Sequence, residues 1–195
     1  MSGKKRKFWI EYLISEYHIL ACKFIPMFVS DEKAVQKYYY KKSRGSKLNL
    51  KDPKKFSEKL QWYKLNNREP LMQICADKFA VRDYIRKQGY GYLLNDLYDS
   101  VKKIDFSRFP NSFVMKASHG SGWNIIVKDK KYLNVKKAKL MMASWLKQDT
   151  SWSGREWVYR GMPRNIVVEK YLEDETGELR DYKFFCFNGR PYFMQ

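Results

Sequence analysis

The stretch from Phe113 to Lys128, FVMKASHGSGWNIIVK, constrains this chain more than any other. Phe113, Met115 and Ala117 alternate with Val114 and Lys116, the period of a strand with one buried face, so 112–117 is predicted to be a strand. A loop over Ser118–Trp123 follows, then a second short strand over Asn124–Lys128. Glycines at 120 and 122 allow a loop to approach an anion closely and aim its backbone N–H groups at phosphate oxygens. Lys116 and Lys128 would add point charges to such a cradle. The lysine precedes the glycines and no GK[ST] is present, so this is not the common P-loop. Ile125 stands where a dinucleotide fingerprint needs its third glycine. An ordinary β-hairpin with a glycine turn and exposed lysines is the competing reading of these residues alone.

The pattern on either side differs. Phe8–Phe24 reads as an amphipathic helix, and the polar, basic residues 31–51 as an irregular connection. Asp52 and Pro53 are expected to start a helix with Phe56, Leu60 and Tyr63 on its apolar face. A second helix is expected near Pro70, and a third is capped by Asp77 and ended by Gly89. Asn134 is expected to cap a helix to about Lys147, with Ala138, Met141, Met142 and Trp145 inward. Residues 148–161 read as a mobile loop. Ile166–Leu172 reads as a buried strand. Asn188-Gly189, between Tyr182–Phe187 and Pro191–Gln195, is a strong hairpin signal. Helices first, then strands with one intervening helix, predict an α+β fold.

Charge bounds the partners. The net charge is +18, with 17 Lys/Arg against 7 Asp/Glu in residues 1–70 and 22 against 14 in residues 71–195. Nucleic acid, an anionic membrane surface and a phosphate-rich or polyanionic substrate all satisfy that excess. Three separated cysteines, Cys22, Cys75 and Cys186, argue against a disulfide framework or a zinc site, and point to a reducing compartment. Lys4, Lys5, Arg6 and Lys7 precede an apolar stretch, but Glu11, Glu16, His18 and Lys23 interrupt it, which is unlike a signal peptide. The helix there either packs on the body of the protein or lies on a membrane interface.

Two further segments strengthen the nucleotide reading. Val167–Leu172 can offer backbone groups to an adenine edge and an apolar wall to its ring. Asp181 and Lys183 open the next strand, where a carboxylate could meet a ribose and a lysine a phosphate. Surface ion pairs would account for the same residues. Taken in order, FSEKLQWYKL at 56–65, CADKFAVR at 75–82, the glycine segment at 114–128, VEKYLED at 168–174 and DYKFFCFNG at 181–189 resemble the TupA-like branch of the ATP-grasp superfamily, over about residues 47–195.

The resemblance implies an ATP-grasp-like α+β fold: a helical N-terminal region, then antiparallel β-structure with one helix, and an incomplete C-terminal half. It implies a basic N-terminal helix and connection at 1–46, a helical region at 47–110, a small glycine-loop subdomain at 111–164 and the start of a large subdomain at 165–195. Lys116 would contact the phosphates of ATP. His119, Gly120, Ser121, Gly122 and Asn124 would fold over them, with Lys128 nearby. Glu169, Lys170, Tyr171 and Leu172 would hold adenine. Asp181 and Lys183 would lie near ribose, phosphates or acceptor. The magnesium ligands are expected beyond Gln195, so catalysis by residues 1–195 alone would be weak or absent.

The family's chemistry implies a ligase that makes an acylphosphate from a carboxylate, in bacterial cell-surface polysaccharide assembly. The acceptor would be a carboxylate or polysaccharide. The expected location is cytoplasmic, peripheral to the inner face of the membrane through the basic N-terminus, with nucleic acid not a partner. A polyanion-binding module is the first alternative. A glycan phosphotransferase is the second, although the HRD-like and DFG-like motifs of kinases are absent.

Overall fold

The computed structural model describes residues 10, 12–14, 16–17, 19–20, 24, 28–101, 103–177 and 179–195. The run Lys4–Lys7 and Phe8 lie outside them. The described residues from 10 to 24 are helical, with Ile19 buried and Leu13, Ile14, Leu20 and Phe24 exposed.

Residues expected to be irregular form a helix, α1 (Asp31–Lys42). Ser30 caps it by accepting from the Lys33 amide at 3.3 Å. Acidic residues fill its first turn and lysines its last, which suits the helix dipole, and Val35 and Tyr39 bury an i, i+4 pair. The next helix, α2 (Phe56–Asn66), begins later than Asp52 and Pro53 would place it. Asn49 Oδ1 accepts from the Lys51 and Asp52 amides and holds a bend there. Glu58 then caps α2 by accepting from the Lys54 and Lys55 amides at 3.0 and 2.9 Å. Phe56, Leu60 and Tyr63 are all largely exposed, and it is Glu58 that is buried. Helices α3 (Pro70–Ala76) and α4 (Ala80–Lys87) follow as expected. Asp77 Oδ1 accepts from the Phe79 amide at 2.8 Å, and Gly89 stops the run at φ +85.

Strands β1 (Leu97–Val101), β2 (Phe113–Ala117), β3 (Asn124–Val127) and β4 (Ile166–Lys170) form an antiparallel sheet in the order β1-β4-β2-β3. Strand β1 was not expected from its polar sequence. The sheet draws on residues 97–170 and so spans the division expected at 164/165. Helix α5 (Val135–Lys147) covers one face, capped by Asn134, whose Oδ1 accepts from the Lys137 amide at 2.9 Å. Phe113, Met115, Ala117, Val127, Ile166 and Val168 meet Ala138, Met142 and Trp145 there. Full burial stabilises each of the larger side chains by about 2 kcal/mol.

Residues 148–161, expected to be mobile, fold into a short helix α6 (Ser151–Gly154) and a helical turn at Trp157–Tyr159. Arg155 is buried and bonds Asp31 at 3.0 Å, while Arg160 reaches the same carboxylate at 3.2 Å. Both guanidiniums lie over the Trp152 ring, 5.1 and 4.6 Å from its centroid. Strands β5 (Phe184–Phe187) and β6 (Arg190–Met194) make a separate hairpin. Its turn residues, Asn188 and Gly189, both have positive φ, as a two-residue hairpin turn requires. The mixture of helices and antiparallel sheet is the α+β class expected.

Candidate functional site

A strand displays alternate residues on opposite faces, so the buried face of β2 fixes the other one. Opposite Phe113 and Met115 stand Val114 and Lys116, which pair in register with Ile126 and Asn124 on β3 and with Glu169 and Val167 on β4. Lys116, Asn124 and Glu169 therefore share the face turned away from α5. Lys116 Nζ donates to Glu169 Oε2 at 2.7 Å, which joins the strand before the glycine loop to the strand expected to hold adenine.

Glu169 is held from its other side. Arg82 of α4 donates through Nη1 to Glu169 Oε1 at 3.1 Å and through Nη2 to the Asn95 carbonyl. Arg82 and Glu169 are 5 % and 8 % exposed. Removing one partner of such a buried pair costs about 3–5 kcal/mol, because the other charge is left unpaired. Asn95 Nδ2 donates to the Lys170 carbonyl at 2.8 Å, and the Lys170 amide donates to the Asp96 carbonyl at 3.0 Å. The Arg82 cluster thus fixes the end of β4 as well as its carboxylate.

The loop at 118–123 is anchored at its base and open at its tip. The Ser118 amide donates to the Asn165 carbonyl, and Ser118 Oγ to the Pro163 carbonyl. His119 is buried, with Nε2 2.9 Å from the Trp145 carbonyl and its ring edge-on to Trp123. Because a carbonyl only accepts, Nε2 carries the proton in the neutral ring. Burial is the main cause that holds His119 below its ordinary pKa of 6.5, and the Arg164 and Lys78 charges add to it. Trp123 lies parallel to Trp145, centroids 6.4 Å apart. A Cβ at Gly120 would come within 2.8 Å of the Trp123 ring, so this tight return needs glycine. Gly122 has φ +74, and both it and Ser121 are exposed.

Lys78, from the Asp77-Lys78 pair before α4, reaches this loop twice. Its amide donates to the Ser118 carbonyl and its Nζ to the Gly120 carbonyl. Burial holds its ammonium below the ordinary lysine pKa, and the nearby Lys116 charge acts in the same direction. Lys78 and Arg82 were legible only as part of a family motif, with no role attached to either.

The remaining expected residues divide. Lys128 lies 5.5 Å from the Tyr171 ring centroid and 3.4 Å from Glu173, and Tyr171 donates to the same carboxylate at 2.8 Å. The end of β3 and the segment after β4 thus meet. Asn124, Ile126 and Lys128 also line a cleft of about 570 Å³ along β3, facing Tyr132, Lys137 and Met141. Lys170 points away from Glu169 and pairs with Asp96 at 3.4 Å, and Leu172 is exposed. Asp181 and Lys183 sit before β5, and no hydrogen bond or ion pair among the described residues joins them to Lys116, Lys128 or the loop. Two ammonium groups and a glycine loop in one place suit a phosphate chain. Among the described residues no group of three or more His, Cys, Asp or Glu is placed to hold a metal ion.

A family model described as TupA-like ATPgrasp matches residues 58–195, well over half of the chain. The chain belongs to the TupA-like ATP-grasp family. No curated protein and no solved structure matches it. ATP-grasp proteins in general bind ATP with magnesium, and Lys116, the glycine loop and the 169–172 strand end lie within the matched region.

Proposed function

We propose that this chain is the nucleotide-binding part of an ATP-dependent, carboxylate-activating ligase. The supporting observation is the 2.7 Å bond between Lys116 and Glu169, which joins the strand leading into the glycine loop to the end of β4. A triphosphate would lie against Lys116 beneath the loop, with its purine beside Tyr171. In this reading Lys116 and Lys78 neutralise phosphate charge and Gly120–Gly122 offer backbone N–H groups. Ordered donors of this kind act mainly by positioning and charge stabilisation. Magnesium, when bound with the nucleotide, would supply further neutralisation of phosphate charge. The acceptor would be a carboxylate or polysaccharide, in cell-surface polysaccharide assembly, as the family resemblance implies.

Titration calorimetry with ATP and magnesium tests the reading. Lys116→Ala removes one charge-assisted contact and is expected to weaken binding by about 2 kcal/mol, roughly thirtyfold. Wild-type protein that takes up no ATP, or a variant that binds as well, would contradict it.

The N-terminal helical stretch supports a peripheral membrane contact. Leu13, Ile14, Leu20 and Phe24 recur at helical spacing and are 64 %, 50 %, 57 % and 59 % exposed, next in sequence to a basic run. A polyanion-binding role is the second reading. It is favoured by a cleft of about 530 Å³ lined by Lys33, Lys37 and Lys47, none of which pairs with a carboxylate among the described residues.

A further inference from the structure

Glu169 poses an electrostatic problem for the proposed site. Its carboxylate is buried on the face that would receive a triphosphate, and it holds the lysine expected to receive it. Any phosphate oxygen that touches Lys116 Nζ lies within two hydrogen-bond lengths of that carboxylate. If Lys116 turned to the phosphate, a bare buried anion would be left facing another one, and repulsion at this range is weakly screened. Arg82 is placed against this. Its guanidinium is buried and binds the oxygen of Glu169 that Lys116 does not use.

We propose that Arg82 is a positioning residue for the nucleotide site: it neutralises Glu169 so that the charge of Lys116 is free for a phosphate. The proposal rests on the nucleotide reading above. In the trio Arg82–Glu169–Lys116, two cations face one anion, leaving one net positive charge. Arg82→Gln leaves none. Arg82→Gln combined with Glu169→Gln restores one, on Lys116. Glu169→Gln alone leaves two. Lys78 and its neighbour Asp77, the other charged groups nearest the trio, are the same in all four proteins. What decides ATP affinity is whether Lys116 must neutralise Glu169, as it must in Arg82→Gln and need not in the other three. A role for Arg82 in folding alone predicts a lower unfolding midpoint for Arg82→Gln with unchanged ATP affinity of the folded protein.

The experiment is calorimetric titration of ATP with magnesium into the full chain and the three variants, each first checked for a cooperative unfolding transition. Arg82→Gln is expected to weaken binding at least tenfold, roughly one unit charge at short range in a partly buried site. In the Glu169→Gln protein, Arg82→Gln should cost no more than about threefold, a large coupling for residues in contact. Glu169→Gln is the reference for the double variant because Glu169 itself lies where adenine is expected. Equal affinity of Arg82→Gln and wild type, or a further loss of about tenfold when Arg82→Gln is added to Glu169→Gln, overturns the proposal. Should Arg82→Gln alone fail to fold, the comparison of the double variant with Glu169→Gln decides, and a loss of more than about tenfold overturns it. Absence of ATP binding by wild type is a separate result. It removes the nucleotide reading itself, and this inference with it.

Discussion

His119 illustrates how one residue in a glycine loop can serve the fold. Its ring is 2 % exposed, bonded to the Trp145 carbonyl and packed edge-on against Trp123. Its pKa in the folded protein lies below 6.5, so the unfolded chain takes up a proton more readily. Stability from the neutral ring is present above pH 6.5 and is lost as pH falls below it, by up to about 1.4 kcal/mol per pH unit. Chemical denaturation at pH 7.5 and 5.5 should show this fall, and His119→Gln should flatten part of it. An unchanged slope in the variant would refute the assignment. It was the family resemblance that implied a place for His119 over the phosphates, as part of the matched glycine loop. Its burial depends on Trp145, whose carbonyl lies on α5, and local pattern carries no such information. Lys116 was legible because alternation along β2 fixes its face. Arg82 was not, since its partner Glu169 is 87 residues away.

Among the elements, those with a local stop or start signal were readable. Asn134, Asp77, Gly89 and Asn188-Gly189 each ended or began an element as their chemistry requires. Asn134→Ala should cost about 1 kcal/mol by removing the bond to the Lys137 amide. Urea unfolding would check this, and a change below about 0.3 kcal/mol would mean that the cap adds nothing beyond packing. The misread elements share a cause. In α1 the lysines and tyrosines masked a helix whose cap (Ser30), acidic first turn and basic last turn were all present. In 148–161 order comes from Asp31, more than a hundred residues away, which gathers Arg155 and Arg160. Strand β1 has no alternating apolar pattern and is held by pairing with β4. The apolar face expected on α2 is largely exposed at Phe56, Leu60 and Tyr63, with the Phe56 ring 6.4 Å from that of Phe187.

At the scale of the molecule, the charge excess and the unburied apolar residues occur together near the N-terminus. No helix among the described residues is long and apolar enough to cross a membrane. A surface contact would need both the basic run and the exposed stripe. Vesicles of phosphatidylglycerol and phosphatidylcholine should therefore sediment the protein at low salt. Vesicles of phosphatidylcholine alone should do so far less, and Leu13→Asp with Ile14→Asp should abolish it. Equal binding to both compositions, or no effect of the double substitution, would rule out the contact. Fold class and three of the four strands of the central sheet were legible from the apolar pattern, whereas β1 and the partners of buried charges required the tertiary structure.

Strand β2 spells the interior and the opposite face, which carries Lys116, in alternating letters. Losing or gaining a single residue between 113 and 117 would push Lys116 into the oil and turn Phe113 or Met115 out to water. Substitutions there can be absorbed one side at a time, but a frame slip cannot, so this five-residue segment should tolerate no change in length.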